Sequence, residues 1–200
     1  MKNWIYLAVI AFSIQAVSAQ KYYLQCGNVF DPTSERWQKE KTVVVEGKHI
    51  TEILNGFVDA TGSDQNIDLK ESWVMPGFID MHVHIESESN PRAYLNRFTL
   101  NEADVAFRAS VYAKKTLLAG FTTVRDLGGS GVNIALKNAV EAGLVDGPRI
   151  FTTGKTIGST GSHADPTSGV RKDLMGDPGP AEGIVNSPED ARKAVRQRYK

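Results

Sequence analysis

Two histidines separated by a single residue, His82 and His84, are the side chains of this sequence whose type and spacing point most directly to chemistry. They close an otherwise apolar segment at residues 74–84, VMPGFIDMHVH. Side chains alternate between the two faces of a β-strand, so both imidazoles project from one face if this segment is extended. Two imidazoles at positions i and i+2 can bind one ion, each with its nitrogen about 2.0–2.1 Å from a zinc. The spacing therefore predicts a metal site with His82 and His84 as ligands.

The residues around the pair favour this interpretation over its plain alternative, two hydrogen-bonded histidines at the end of a sheet. Asp80 lies two positions before His82 and could accept the second ring N–H of a ligand, which would fix the orientation of that ring. A Pro76-Gly77 turn precedes the segment. The intervening positions are apolar and suited to packing beneath helices: Ile79, Met81, Val83 and Ile85.

The sequence after residue 73 alternates between strand and helix patterns. Apolar residues recur at three- and four-residue spacing in the helical segments, and Ser187 followed by Pro188 is typical of a helix start. The predicted strands cover residues 73–84, 121–127 and 148–153, and the predicted helices cover 101–118, 132–142 and a segment that begins at Ser187. Repeated strand–helix units indicate an α/β fold with a parallel sheet and crossover helices.

Residues 20–72 have the pattern of short strands and turns. A β-branched run at 42–46, a Gly-Lys turn and a second run at 49–54 predict a hairpin within a small β domain. His49 lies in the second run and is interpreted as a structural residue. Cys26 is the one cysteine of the sequence, so it forms no intramolecular disulfide, and its type favours a small buried residue.

A long loop, residues 158–186, follows the third predicted strand and is rich in Gly, Pro and Asp. Loops of this length are usually functional or disordered, and α/β folds keep their sites at the carboxyl ends of strands. The loop is therefore either a substrate lid or a flexible insertion. His163 within it is a candidate substrate contact or a loop histidine without a catalytic part. Arg125 and Asp126 end the second strand on opposite faces, where one of them supports the site or makes a buried structural contact.

Charge and the amino-terminal segment bear on partners and location. The 23 basic and 23 acidic residues cancel, which gives no electrostatic case for binding nucleic acid or an anionic membrane. Residues 1–19 combine Lys2, an apolar run at 4–14 and the small residues of Val17-Ser18-Ala19, as in a secretory signal peptide. The apolar run is shorter than the ~20 residues that a transmembrane helix needs. We expect cleavage after Ala19 and an exported protein, periplasmic or extracellular, with no membrane association once the signal is removed.

Several segments together resemble one known family. Residues 76–84, PGFIDMHVH, resemble the first-strand signature of the metal-dependent amidohydrolase superfamily. Cys26-Gly27 with Asp31, and residues 42–50, are similar to strands of that superfamily's amino-terminal β-sandwich, and residues 119–127 to its second barrel strand. Residues 147–165 resemble the third strand and its loop, most closely in the branch that contains Xaa-Pro dipeptidases and imidazolonepropionase-like enzymes.

The resemblance implies a (β/α)8 barrel beside a small β-sandwich, with one or two divalent metal ions, preferably zinc, at the barrel mouth. His82 and His84 match the first two metal ligands of that pattern. In such enzymes the metal activates a water that attacks an amide carbonyl, and a later aspartate transfers the proton. The other implied ligands, a carboxylated lysine or a glutamate, two histidines and an aspartate, belong to later strands and are expected beyond residue 200.

Domain organisation follows from the same pattern. We expect a signal peptide at 1–19, part of a β-sandwich at 20–72 and the amino-terminal part of the barrel at 73–200. A complete barrel of this type takes about 250 residues, so only about three strand–helix units fit. The expectation is an incomplete barrel from a longer enzyme, inactive by itself.

Three functions remain open from the sequence. The first is an exported metal-dependent amidohydrolase that cleaves C–N bonds of a dipeptide or another small-molecule substrate. The second is a cyclic amidase of the imidazolonepropionase type. The third is a non-catalytic barrel fragment that binds a metal or a partner. A shared fold does not determine a substrate, and the sequence leaves the assembly state and the metal count open.

Overall fold

The computed structural model describes residues 20–199, and the predicted signal peptide and its cleavage site lie outside the described residues. The chain divides into two compact units, of which the first ends at Pro76 and the second begins at Gly77. This boundary lies four residues later than the one expected from the sequence. The reason is that Trp73 and Val74 pair with Asn28 and Val29 and so continue the sheet of the first unit.

The first unit is a four-stranded sheet. Its strands are β1 (Lys21–Asp31), β2 (Arg36–Glu46), β3 (His49–Asn55) and β4 (Gln65–Val74), in the order β3-β2-β1-β4. The β2–β3 pair is the predicted hairpin, whereas β4 runs parallel to β1. Cys26 is fully buried with Val29 and Val43, as its type predicts, and His49 is exposed. The described residues of this unit form one sheet, and the sandwich stays a prediction.

The second unit is built on a parallel sheet in the order β5-β6-β7, with β5 at Phe78–Val83, β6 at Phe121–Asp126 and β7 at Arg149–Thr152. The single strand predicted over 73–84 is therefore two strands in different sheets. Met75–Gly77 separates them, and Gly77 comes so close to β6 that a Cβ atom there would lie 2.1 Å from the side chain of Thr122.

The helices of this unit are α1 (Ala93–Thr99), α2 (Glu102–Leu118), α3 (Val132–Glu141), α4 (Lys172–Met175) and α5 (Pro188–Arg198). The bounds of α2 and α3 confirm the prediction, and Ser187 caps α5 by accepting the N–H of Asp190 at 3.1 Å. The short helices α1 and α4 were not predicted. Within residues 20–199, no helix has the length and apolar character needed to cross a membrane.

The core of the second unit lies between the sheet and the crossover helices α2 and α3. Alanines on the inner face of α2 are fully buried and let this helix approach the strands closely. The buried apolar residues are Ile85, Ala109, Ala113, Val124, Leu136 and Ile150. Val83 packs against this cluster as well, so the last residues of β5 are anchored on the helix-covered side of the sheet.

The long loop 158–186 has an internal structure of its own. Its ends are joined by two hydrogen bonds of Gly158: its N–H donates to the Gly183 carbonyl at 2.9 Å, and its carbonyl accepts the Val185 N–H at 2.9 Å. Inside it, the buried Asp165 carboxylate accepts the Gly161 N–H at 2.7 Å, together with the N–H and hydroxyl of Thr167. These hydrogen bonds hold the pKa of Asp165 below its usual value, and the bond from the Gly161 N–H has the largest effect.

Acid should therefore loosen this loop. A carboxyl group whose pKa is lowered by folding stabilises the folded state above its unfolded pKa of about 3.9, and the contribution disappears as the pH falls through the lower folded value. We expect the main-chain amides of residues 158–186 to be less protected from hydrogen exchange below about pH 4. The measurement is hydrogen exchange on the purified protein, read by mass spectrometry. Asp165→Asn should lose this protection already at pH 7. The matched variant Asp177→Asn, on an exposed loop residue, should keep it, and equal protection in both variants would contradict the assignment.

Candidate metal-binding site at the end of β5

The two histidines lie side by side. His82 belongs to β5 and His84 follows its last residue. Their ring centroids are 5.5 Å apart and the ring planes meet at 71°. Because Val83 packs against the helix-side core and Ile85 belongs to it, the His84 ring projects from the opposite, open side of the sheet, and the His82 ring lies beside it.

This separation suits a shared ion. Two imidazole nitrogens, each about 2.05 Å from one tetrahedrally coordinated zinc, place their ring centroids about 5 Å apart. The observed distance of 5.5 Å is within small side-chain rotations of that value. The pair therefore fits two ligands of a single divalent ion.

The ring of His84 is held in the orientation that a ligand requires. Its Nδ1 lies 2.7 Å from the carbonyl oxygen of Gly128. A carbonyl oxygen only accepts, so the hydrogen bond requires the proton on Nδ1 and leaves the Nε2 lone pair available for an ion. Gly128 takes φ +141, and a Cβ atom there would lie 2.0 Å from the hydroxyl of Thr156. Only glycine places its carbonyl there without a clash.

Asp80 contacts the main chain beside the histidine pair. Its Oδ1 accepts the main-chain N–H of His82 at 3.0 Å, so the carboxylate holds the backbone there. The bond of Asp80 to the ring of a ligand stays a prediction, and the His84 ring is oriented by a contact with the Gly128 carbonyl. The contact was missed because no side-chain pattern marks a main-chain acceptor 44 residues away.

Of the two residues that end β6, Asp126 makes the buried structural contact. It is fully buried and accepts three hydrogen bonds: from Ile85 N–H at 3.0 Å, Gly128 N–H at 2.8 Å and Asn133 Nδ2 at 3.2 Å. These bonds join the segment after β5 to the loop after β6 and to α3. Arg125 is exposed on the other side, and its Nε donates to the Met81 carbonyl at 2.9 Å.

Glu86 is a site residue that the sequence interpretation missed. Its carboxylate accepts the N–H of Ser130 at 2.7 Å and that of Asn133 at 2.5 Å. These groups belong to the amino terminus of α3, whose own N-cap position is Gly131 and has no side chain to offer. A carboxylate at this end of a helix also interacts favourably with the helix dipole. The sequence did carry a signal for this residue, because Glu86 continues the two-residue spacing of His82 and His84.

A cleft of about 590 Å³ opens beside His84. The turn after β5, α1, α2 and the loop after β6 form its walls, and Tyr112, Arg97 and Met175 contribute side chains. His163 is an exposed loop residue outside this lining, so the long loop reaches the cleft through Met175. His163 as a substrate contact stays a prediction.

The described residues supply the pair and no further ligand. Among residues 20–199, no group of three or more His, Cys, Asp or Glu side chains is arranged to hold a metal ion. His82 and His84 would hold the ion from one side, and the remaining coordination positions are for water, substrate or ligands outside residues 20–199.

Comparison with known proteins identifies the family. The model of the amidohydrolase family matches residues 73–200. The chain belongs to the amidohydrolase family. Its membership confirms the resemblance noted from the PGFIDMHVH segment and agrees with a parallel β5–β6–β7 sheet as the start of a (β/α)8 barrel, while the complete barrel stays a prediction.

Solved structures narrow the likeness within this family. The chain is 39% identical to a Xaa-Pro dipeptidase crystallised with methionine in its active site, with a TM-score of 0.83. The alignment covers 90% of this chain and 44% of that one. A prolidase in complex with N-methylphosphonate-L-proline is 37% identical over the same shares, with a TM-score of 0.75. Ochratoxinase of Aspergillus niger is 28% identical over 138 residues, which are 62% of this chain and 28% of that protein. The chain thus spans less than half the length of these relatives.

Replacing the two histidines should abolish metal binding without unfolding the protein. Loss of a residue that merely orients a metal ligand costs about 10–100-fold in affinity, and we expect His82→Ala or His84→Ala to cost more. Zinc content of the purified full-length protein, measured by plasma emission, is the readout, with circular dichroism to check the fold. The control is His49→Ala, an exposed histidine of β3, which should keep its zinc. Full zinc occupancy in the double His82/His84 variant would rule out the ligand assignment.

Proposed function

We propose that the protein is a metal-dependent amidohydrolase that hydrolyses the C–N bond of a dipeptide-like substrate through a metal-activated water. The observation that carries this proposal is the paired arrangement of His82 and His84, 5.5 Å apart, with His84 held by Gly128 in the tautomer that a ligand needs. Family membership and the likeness to two Xaa-Pro-cleaving enzymes support the reaction class.

When bound, a divalent cation would lower the pKa of a coordinated water to about 7 and would polarise the carbonyl group of the substrate. The contributions of this chain are positional. His82 and His84 would hold the cation on the open face of the sheet, and the Gly128 carbonyl binds the Nδ1 side of the His84 ring, so that Nε2 is the nitrogen left for the cation. We assign the other ligands and the proton-transferring aspartate implied by the resemblance to a longer parent protein, which the 44% coverage of the solved relatives supports.

The cleft beside His84 is the proposed substrate pocket. Its volume of about 590 Å³ lies within the 300–1,000 Å³ that is usual for small-molecule sites. Identities of 39% and 37% to a Xaa-Pro dipeptidase and a prolidase favour dipeptides. The second candidate is a cyclic amidase of the imidazolonepropionase type, which the resemblance of residues 147–165 leaves open.

A substrate screen separates these candidates. We expect the zinc-loaded full-length protein to release free amino acids from a dipeptide library, as measured by mass spectrometry, and to leave imidazolone-type rings intact. The rate for the double His82/His84→Ala variant should fall by about three orders of magnitude or more, because the metal-activated water supplies most of the rate enhancement. The His49→Ala variant should retain the wild-type rate. Turnover of rings alone would favour the cyclic amidase, and zinc binding without any turnover would favour a non-catalytic metal-binding protein.

We also propose export through the amino-terminal segment, on the strength of its charged start, its apolar run and the small residues before Gln20. Expression from Met1 in a bacterial host should give a secreted or periplasmic product whose first residue, read by Edman sequencing, is Gln20. The variant Ala19→Trp should remain uncleaved, because signal peptidases read small residues at this position. A cytoplasmic product that retains Met1 would contradict the proposal.

A further inference from the structure

The strand that carries the histidines is irregular just where His82 lies. Asp80 is paired with Val124 of β6, and Val83 is paired with Asp126. Three steps along β5 therefore correspond to two steps along β6. The extra residue falls at Met81-His82 and forms a β-bulge, a feature that is enriched next to active sites because it redirects a side chain.

Side chains bind the main chain of this bulge. A bulge leaves backbone groups outside the regular ladder, and such groups need other partners. The Met81 carbonyl accepts from Arg125 Nε at 2.9 Å, and the His82 N–H donates to Asp80 Oδ1 at 3.0 Å. The carbonyl and the N–H of the Met81–His82 peptide are thus held by residues of two different strands, Arg125 of β6 and Asp80 of β5.

Arg125 lies on the side of the sheet that carries the imidazoles. Its neighbours Val124 and Asp126 are both fully buried beneath the helices, so the alternation of β6 directs Arg125 to the open side. A positive charge on the face that would receive a divalent cation is electrostatically unfavourable. The hydrogen bond to Met81 therefore accounts better than the positive charge does for an arginine at position 125.

We propose that Arg125 is a positioning residue for the metal site. Its Nε–H bond to the Met81 carbonyl, together with the Asp80 contact, holds the bulge that places the His82 ring beside His84. Arg125 acts through the backbone of β5 and touches neither substrate nor ion. The inference rests on the proposed function in one respect, that the two histidines share an ion.

Substitutions can separate the hydrogen bond from the charge. In Arg125→Gln the amide nitrogen is attached to Cδ, as Nε is in arginine, so this variant keeps the donor and loses the charge. Arg125→Met keeps the length of the stem and loses both. Arg125→Lys keeps the charge but has its donor one bond farther from the backbone.

Metal affinity and the visible absorption spectrum of the cobalt-loaded full-length protein are the measurements, made without substrate. We expect Arg125→Met to bind Zn²⁺ about 10–100-fold more weakly, in the range of residues that orient metal ligands, and to show an altered Co²⁺ spectrum. Arg125→Gln should restore the wild-type affinity and spectrum, and Arg125→Lys should bind more weakly than Arg125→Gln. The matched control is Arg149→Met, on an exposed position of β7, which should leave both measurements unchanged.

Wild-type affinity and spectrum in Arg125→Met would overturn the inference, and so would equal defects in Arg125→Gln and Arg125→Met. If Arg125→Met does not fold, the Gln and Lys variants decide: Lys binding as tightly as Gln, or more tightly, would show that charge is the relevant property. Because these measurements need no turnover, they are independent of the hydrolysis assay. A protein that binds zinc through the pair but cleaves no substrate would refute the proposed function and leave this inference testable.

Discussion

The carboxylate of Asp126 is fully buried and accepts three hydrogen bonds, from the main chain after β5, the main chain after β6 and the side chain of Asn133. A buried charge is tolerated when hydrogen bonds compensate for the lost water. Here the donors come from three separate segments, so their relative positions are set by one group. The carbonyl that orients His84 belongs to Gly128, whose own N–H is one of these donors. The geometry of the candidate site thus depends on this carboxylate.

Further polar contacts of the second unit lie in the segments that follow β5, β6 and β7. Glu86 closes the amino terminus of α3, Asp165 organises the loop after β7, and Arg198 of α5 donates to Lys155 and Pro180 in the same region. The core of this unit is apolar instead: its buried residues, among them two alanines of α2, pack against the strands. The carboxyl ends of β5, β6 and β7 are therefore followed by a network of polar contacts, and barrel enzymes place their chemistry at this end of the strands.

The family and the site contribute different parts of the functional conclusion. Membership of the amidohydrolase family indicates a reaction class, and a fold by itself does not select a substrate. The proposed metal ligands and substrate pocket rest on local geometry. That geometry consists of the histidine pair, the hydrogen bond that orients His84 and the cleft beside it. The bulge in β5 places the departure from regular pairing at His82, the residue proposed as a metal ligand.

Local patterns in the sequence determined most of the elements and singled out the histidine pair. The cap at Ser187 and the period of α2 depend on residues within a few positions, and the i, i+2 spacing of His82 and His84 marked them as candidate ligands. Only the tertiary structure decided which groups orient and support that pair. The contacts of Gly128 with His84 and of Arg125 with Met81 each join residues 44 positions apart, and the bulge exists only relative to the register of β6. The assignment of Trp73 to the first unit likewise depends on its pairing with β1. Such partners are brought together by packing, which no local pattern records.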